Sequence, residues 1–379
     1  MDNKNLRNAI RDWKRDRGMA TAKWGPIGEW DVSKVTDMSR LFEGFDDFNE
    51  DISAWDTSKV QNMTGMFWNT RSFNQPLNSW NTSNVQNMHS MFSNAYSFNQ
   101  PLGSWNTSKV QNMTGMFWNT RYFNQPLDSW DTSNVQNMRS MFWDAYSFNQ
   151  PLNSWDTSNV RDMARMFQNA YSFNQPLNSW NTSKVRDMNG IFLNAHSFNQ
   201  PLYSWKTSNI QNMNWMFSNA YSFNQPLNSW DTSNVRDMAV MFQNAYSFNQ
   251  PLDSWNTSNV RNMAGMFQNA YSFNQPLDSW KTSKARNMYW MFENARSFNQ
   301  PIQIWLEQHH NIIANDVFPH TLSSFVFLEF IGGFAKTKEE KWNEREDEEE
   351  GIEIDGVDCI LECESIVYRL FQMAYNYSM

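Results

Sequence analysis

WNTSNVQNMHSMFSNAYSFNQPLGS, residues 80–104, gives way at Trp105 to a near-copy of itself, and how that stretch is read decides the fold. Tryptophan returns every 25 residues, at Trp30, Trp55, Trp80, Trp105, Trp130, Trp155, Trp180, Trp205, Trp230, Trp255, Trp280 and Trp305. A fixed period of this size marks stacked repeats, each unit touching only its neighbours. Within the unit Val85, Met88, Met91, Phe92 and Ala95 have the spacing of one helix face, and Ser83 stands where a capping hydroxyl would. A short helix is therefore expected over residues 85–95. Asn94, or its Asn, Asp or Gly equivalents, should end that helix at positive φ. Pro101 bars further helix and biases Gln100 to extended backbone, so residues 98–105 read as a short strand. Eleven strand–turn–helix units then give an α/β class fold, a right-handed solenoid with helical caps. It should be arc-shaped, because a helix is wider than strands stacked roughly 4.8 Å apart.

The pattern weakens at both ends. Residues 1–29 read as a capping helix, on the spacing of Leu6, Ile10 and Trp13, followed by a half-repeat from Trp24. The repeat array runs over 30–305, followed by a cap segment (306–335), an acidic linker (336–357) and an amphipathic helix (358–379) carrying Cys359 and Cys363. No stretch is long and apolar enough for a membrane span, and the polar start shows no secretory signal. A net charge of −9 argues against a nucleic-acid partner.

The string W-[DN]-T-S-[NK]-V-x-[DN]-M-x-x-M-F, with F-N-Q-P-L after it, covers residues 30 to 305. It resembles the BspA-type leucine-rich-repeat surface proteins, in particular their branch of 25- to 26-residue repeats found in mycoplasma lipoproteins. The resemblance implies a leucine-rich-repeat-like solenoid, a right-handed horseshoe displayed on a cell surface and used for attachment or host contact. The chain departs from that family's pattern in having no signal peptide and no N-terminal lipidation cysteine.

No nucleophile–base set, phosphate loop or nucleotide fingerprint occurs, so no enzyme, no cofactor and no metal are expected. The scattered histidines, His89 and His196 in the array and His309, His310 and His320 beyond it, lack ligand spacing. The asparagine after the second phenylalanine never varies: Asn74, Asn99, Asn124, Asn149, Asn174, Asn199, Asn224, Asn249 and Asn274. It reads as a structural amide ladder between units. The residue two beyond the proline does vary, as Asn78, Asp128, Asn153, Asn178, Tyr203, Asn228, Asp253 and Asp278. On a strand face these would be the ligand-binding positions. The function expected is a non-enzymatic scaffold gripping protein or glycan, as in adhesion. An intracellular assembly scaffold is the first alternative. A binder of ice or polymer lattices through rows such as Thr57, Thr82, Thr107 and Thr132 is the second.

Overall fold

A computed structural model describes residues 1–302 and Trp305. The expected units 306–335, 336–357 and 358–379, with Cys359 and Cys363, lie outside the described residues. Each unit is numbered below from its tryptophan as position 1.

The chain opens with α1, Asn3–Arg15, capped by the Asp2 carboxylate on the Asn5 N–H, and α2, Arg17–Trp24, capped likewise by Asp16 on Met19. Leu6, Ala9, Ile10 and Trp13 form the buried stripe of α1. Trp13 meets the Phe48 ring edge-on at 5.4 Å, which covers the first repeat. A short 3-10 turn, Ile27–Glu29, leads into the array, where Ile27 is buried.

From Trp30 onward the expectation of strand–turn–helix units fails. Among the described residues beyond Glu29 there is neither an extended strand nor a helix of that unit; each coil is a succession of tight turns. The residues expected to be helical show why. Position 11 has positive φ in every coil, Ser90 at 53° for example, and so does position 15, as at Asn94 with 58°. Two left-handed residues four apart cannot lie in one α-helix. The backbone N–H groups alternate instead. Met91, Ser93 and Ala95 donate back three residues, to Met88, Ser90 and Phe92. Met88, Ser90, Phe92 and Asn94 donate forward, to the carbonyls of Asn112, Thr114, Met116 and Trp118 in the next coil. Linked turns with i to i+3 bonds repeat apolar side chains about every three residues, and that spacing mimics a helix face.

The expected strand fails for a different reason. Pro101 has no N–H, and the Asn99 N–H goes to the side-chain oxygen of Asn74 at 2.9 Å rather than to a backbone carbonyl. A side-chain ladder thus stands where a sheet ladder would. Parallel pairing does occur, but only as isolated single-residue bridges at position 8, from Asp37↔Asn62 to Asn262↔Asn287. The leucine-rich-repeat-like α/β solenoid is thereby replaced by stacked coils of turns. With no helix row opposite a strand row, the reason for expecting an arc is gone.

The core is aromatic and repeats with the coil. Phe92 and Phe98 stack within their coil at 4.0 Å, and Phe92 lies 5.7 Å from Phe117 of the next. Trp130, Trp155 and Trp180 follow one another at 6.4 Å with planes 1° apart. Repeat tryptophans are only 1–4% exposed. From Trp55 to Trp280 each indole N–H donates to a carbonyl of the preceding coil, as Trp105 does to Leu77 at 2.9 Å. A buried indole needs such a partner, and the stacking adds about 0.5–1.5 kcal/mol per pair beyond burial.

Candidate interaction surface

The invariant polar side chains are spent on holding coils together. The position 20 asparagines stack in register. Asn149 accepts the Asn174 N–H at 2.9 Å and the Gln175 side-chain amide at 3.1 Å, and the arrangement repeats along the array. Position 15 forms a second amide ladder, Asn119 Nδ2 donating to Asn94 Oδ1 at 2.7 Å. The threonines of position 3 are buried, and from Thr57 to Thr257 each hydroxyl donates to a carbonyl of the next coil, as Thr82 does to Asn106 at 2.9 Å. Thr57, Thr82, Thr107 and Thr132 therefore offer no flat exposed row to a lattice.

Position 2 closes a tight turn. Asp56, Asp131 and Asp231 each accept the N–H of the serine two residues on, at 2.9–3.0 Å. The serine hydroxyl, and then that N–H, hold these carboxylates below the usual range. Ser83 accordingly donates its N–H to Asn81 and caps no helix. Asp162 behaves oppositely. It is half-buried at position 8, and burial pushes its carboxyl up despite Arg139 at 3.5 Å.

The varied residues expected on a strand face occupy a corner instead. Asn78, Asp128, Asn153, Tyr203, Asn228, Asp253 and Asp278 are exposed in the turn between leucine and tryptophan, and Asn178 is half-buried there. Their backbone carbonyls take the next coil's serine hydroxyl, as Asp128 does from Ser154 at 2.6 Å. These side chains share one edge of the array and make no joint pocket that the structure shows.

Four columns carry the chemistry that reaches the surface. At position 17 the rings of Tyr146, Tyr171, His196, Tyr221, Tyr246 and Tyr271 stack continuously at 4.3–4.8 Å. Arg121 caps one end over Tyr146 and Arg296 the other over Tyr271. Burial between the rings lowers the pKa of His196 and raises that of Tyr171. At position 11 Trp215 and Trp290 are 50% and 56% exposed. At position 14 Trp118 stacks on Trp143 at 5.0 Å, with the Arg165 guanidinium over the latter. Tyrosine at 25-residue spacing was the legible signal for the first column. The others have no signal beyond their variability.

The fourth column is basic. Position 7 is exposed from the second coil onward and reads Gln61, Gln86, Gln111 and Gln136, then Arg161, Arg186, Gln211, Arg236, Arg261 and Arg286. The chain's acidity lies elsewhere: residues 303–379 hold 16 of its 39 acidic residues and only 5 of its 30 basic ones.

Among the described residues no group of three or more His, Cys, Asp or Glu could hold a metal ion, and no helix is long and apolar enough to cross a membrane. No curated protein matches the chain. The BspA-type leucine-rich-repeat resemblance does not hold, since the family model that does match is a different one and the coils lack strands. That model matches residues 5–127, 98–205, 120–230 and 223–323, so the chain belongs to the family described as Mycoplasma protein of unknown function, DUF285.

Proposed function

We propose that this chain is a non-enzymatic interaction scaffold that grips a protein or glycan along the exposed columns of its coils, at the cell surface and in attachment. One observation carries the reading. Invariant side chains are consumed by coil-to-coil bonding, while among the described coils exposed aromatic side chains such as Trp215 and Trp290 occur only at positions that vary between coils. Exposed indoles have the chemistry of binding hot spots, with large area, little conformational entropy and one polar handle.

Two measurements test it. The purified chain is presented to an immobilised panel of glycans and extracellular proteins, beside the double variant Trp215→Ser, Trp290→Ser. Serine already occupies this position at Ser90 and Ser140, so the variant keeps the coil. Capture weakened at least about tenfold, with unchanged melting, supports the aromatic face; equal capture removes it. Protease added to intact producing cells addresses location. Loss of the chain supports display, whereas protection until lysis moves the scaffold to intracellular assembly.

A further inference from the structure

The position 7 arginines are held in vertical register by backbone bonds. Arg186 donates its N–H to the Arg161 carbonyl at 2.9 Å, Arg261 to Arg236 at 2.8 Å, and Arg286 to Arg261 at 2.8 Å. Their guanidinium groups make no side-chain hydrogen bond, ion pair or ring contact among the described residues, unlike Arg40, Arg139 or Arg165. The acids next in sequence are engaged elsewhere. Asp162 and Asp187 take Arg139 at 3.5 and 3.4 Å, and Asp237 accepts the Ala239 N–H at 2.9 Å. Five unpartnered cations in one exposed file repel each other, so the file is complementary to a line of anions.

We propose that this file binds a linear acidic polysaccharide, carboxylated or sulfated, lying along the array over residues 155–302. The proposal rests on the scaffold reading and narrows its ligand class. Guanidinium pairs with carboxylate and sulfate through two parallel N–H···O bonds, which a lysine file would not provide. The spacing selects among polyanions. Beside the position 8 bridges, where neighbouring backbones pair in parallel, coils follow at roughly 4.8 Å, close to the length of one extended pyranose unit, so successive sugars meet successive coils along this file. An extended acidic peptide repeats its same-side residues at about 6.7 Å and falls out of step. A nucleic-acid strand needs successive free ring faces for its bases, whereas the half-buried tyrosine column spends its faces on its own neighbours and the exposed indoles Trp215 and Trp290 stand three coils apart.

The test uses the full chain and four ligands: polygalacturonate, dextran sulfate, polyglutamate and oligo-dT, with neutral dextran as blank. Glutamine occupies this position at Gln61, Gln86, Gln111, Gln136 and Gln211, so Arg161→Gln, Arg186→Gln, Arg236→Gln, Arg261→Gln and Arg286→Gln together keep the fold. We expect binding of polygalacturonate or dextran sulfate that weakens with salt and falls at least about tenfold in the glutamine variant. Preference for one of the two identifies carboxylate or sulfate as the recognised group. The reciprocal set Gln61→Arg, Gln86→Arg, Gln111→Arg and Gln136→Arg should lengthen the file and tighten binding. Unchanged binding by the glutamine variant overturns the proposal. So does equal or tighter binding of oligo-dT or polyglutamate. Because Trp215 and Trp290 are intact in all these variants, capture through the aromatic face would survive and leave the scaffold reading standing.

Discussion

Val240 holds φ at 51° at position 11, a conformation that disfavours any side chain and a β-branched one most. Gly65, Gly115, Gly190 and Gly265 occupy the same place without that penalty. Val240→Gly should therefore raise stability by about 1 kcal/mol, the relief of left-handed strain exceeding the added freedom of the unfolded chain. Chemical denaturation midpoints check this, and Gly115→Val should move the other way. His196 gives a second prediction at this scale. Burial between the Tyr171 and Tyr221 rings lowers its pKa from the ordinary 6.5. The unfolded chain then takes up the proton first, so stability is complete above the unfolded value and falls as pH drops through it towards the lower folded one. An NMR titration of the His196 ring should report the depressed value. His196→Tyr, which continues the tyrosine column, should abolish this part of the pH dependence.

A coil is an element made of turns, and backbone bonds and side-chain amides together bind one to the next. Asn174 Oδ1 accepts both the Asn199 N–H and the Gln200 side-chain amide at 3.0 Å. Asn174→Ala should strand both donors and cost about 1–3 kcal/mol, with faster hydrogen exchange at the Asn199 amide. Asn153→Ala, at the exposed corner, should stay within about 0.5 kcal/mol. The contrast shows how much of the coil was legible in the sequence. The 25-residue register follows from the tryptophans, and the positive φ at Asn94 and its equivalents follows from their residue type. The path between them was not legible. Val85, Met88, Met91 and Ala95 fit a helix and a run of i to i+3 turns alike, and only the direction of each N–H separates the two. Four glycines at position 11 marked the second left-handed residue, but Arg165, Trp215 and Val240 at the same place concealed it. The candidate site was less legible still. Asn78 and its equivalents vary because they sit at a corner, whereas the arginine file emerges only once position 7 is seen to be exposed and registered from coil to coil.

The whole array behaves as one pattern repeated along a line, and this fixes how it should respond to length. The core rows, the two amide ladders, the threonine hydroxyls and the indole bonds all close on the residue one coil away. Excising residues 156–180 joins Trp155 to Asn181 and leaves every ladder in register, one step shorter. Each coil contacts only its neighbours, so the loss is one coil's share of a roughly additive stability. The excised chain should melt cooperatively with its indole fluorescence still that of buried rings. Excising residues 156–167 instead places Gln168 after Trp155. The interrupted coil then has no position 3 threonine, no position 6 valine and no first phenylalanine, so its polar groups and rings meet the wrong partners on both sides. Cooperative melting should be lost, with indoles exposed near the junction. Similar melting for the two deletions would mean that the coils do not depend on register, and the ladders would then not be what holds the array together. The sequence itself favours the first outcome: residues 58–71 recur unchanged as 108–121, two coils further on, within an uninterrupted array.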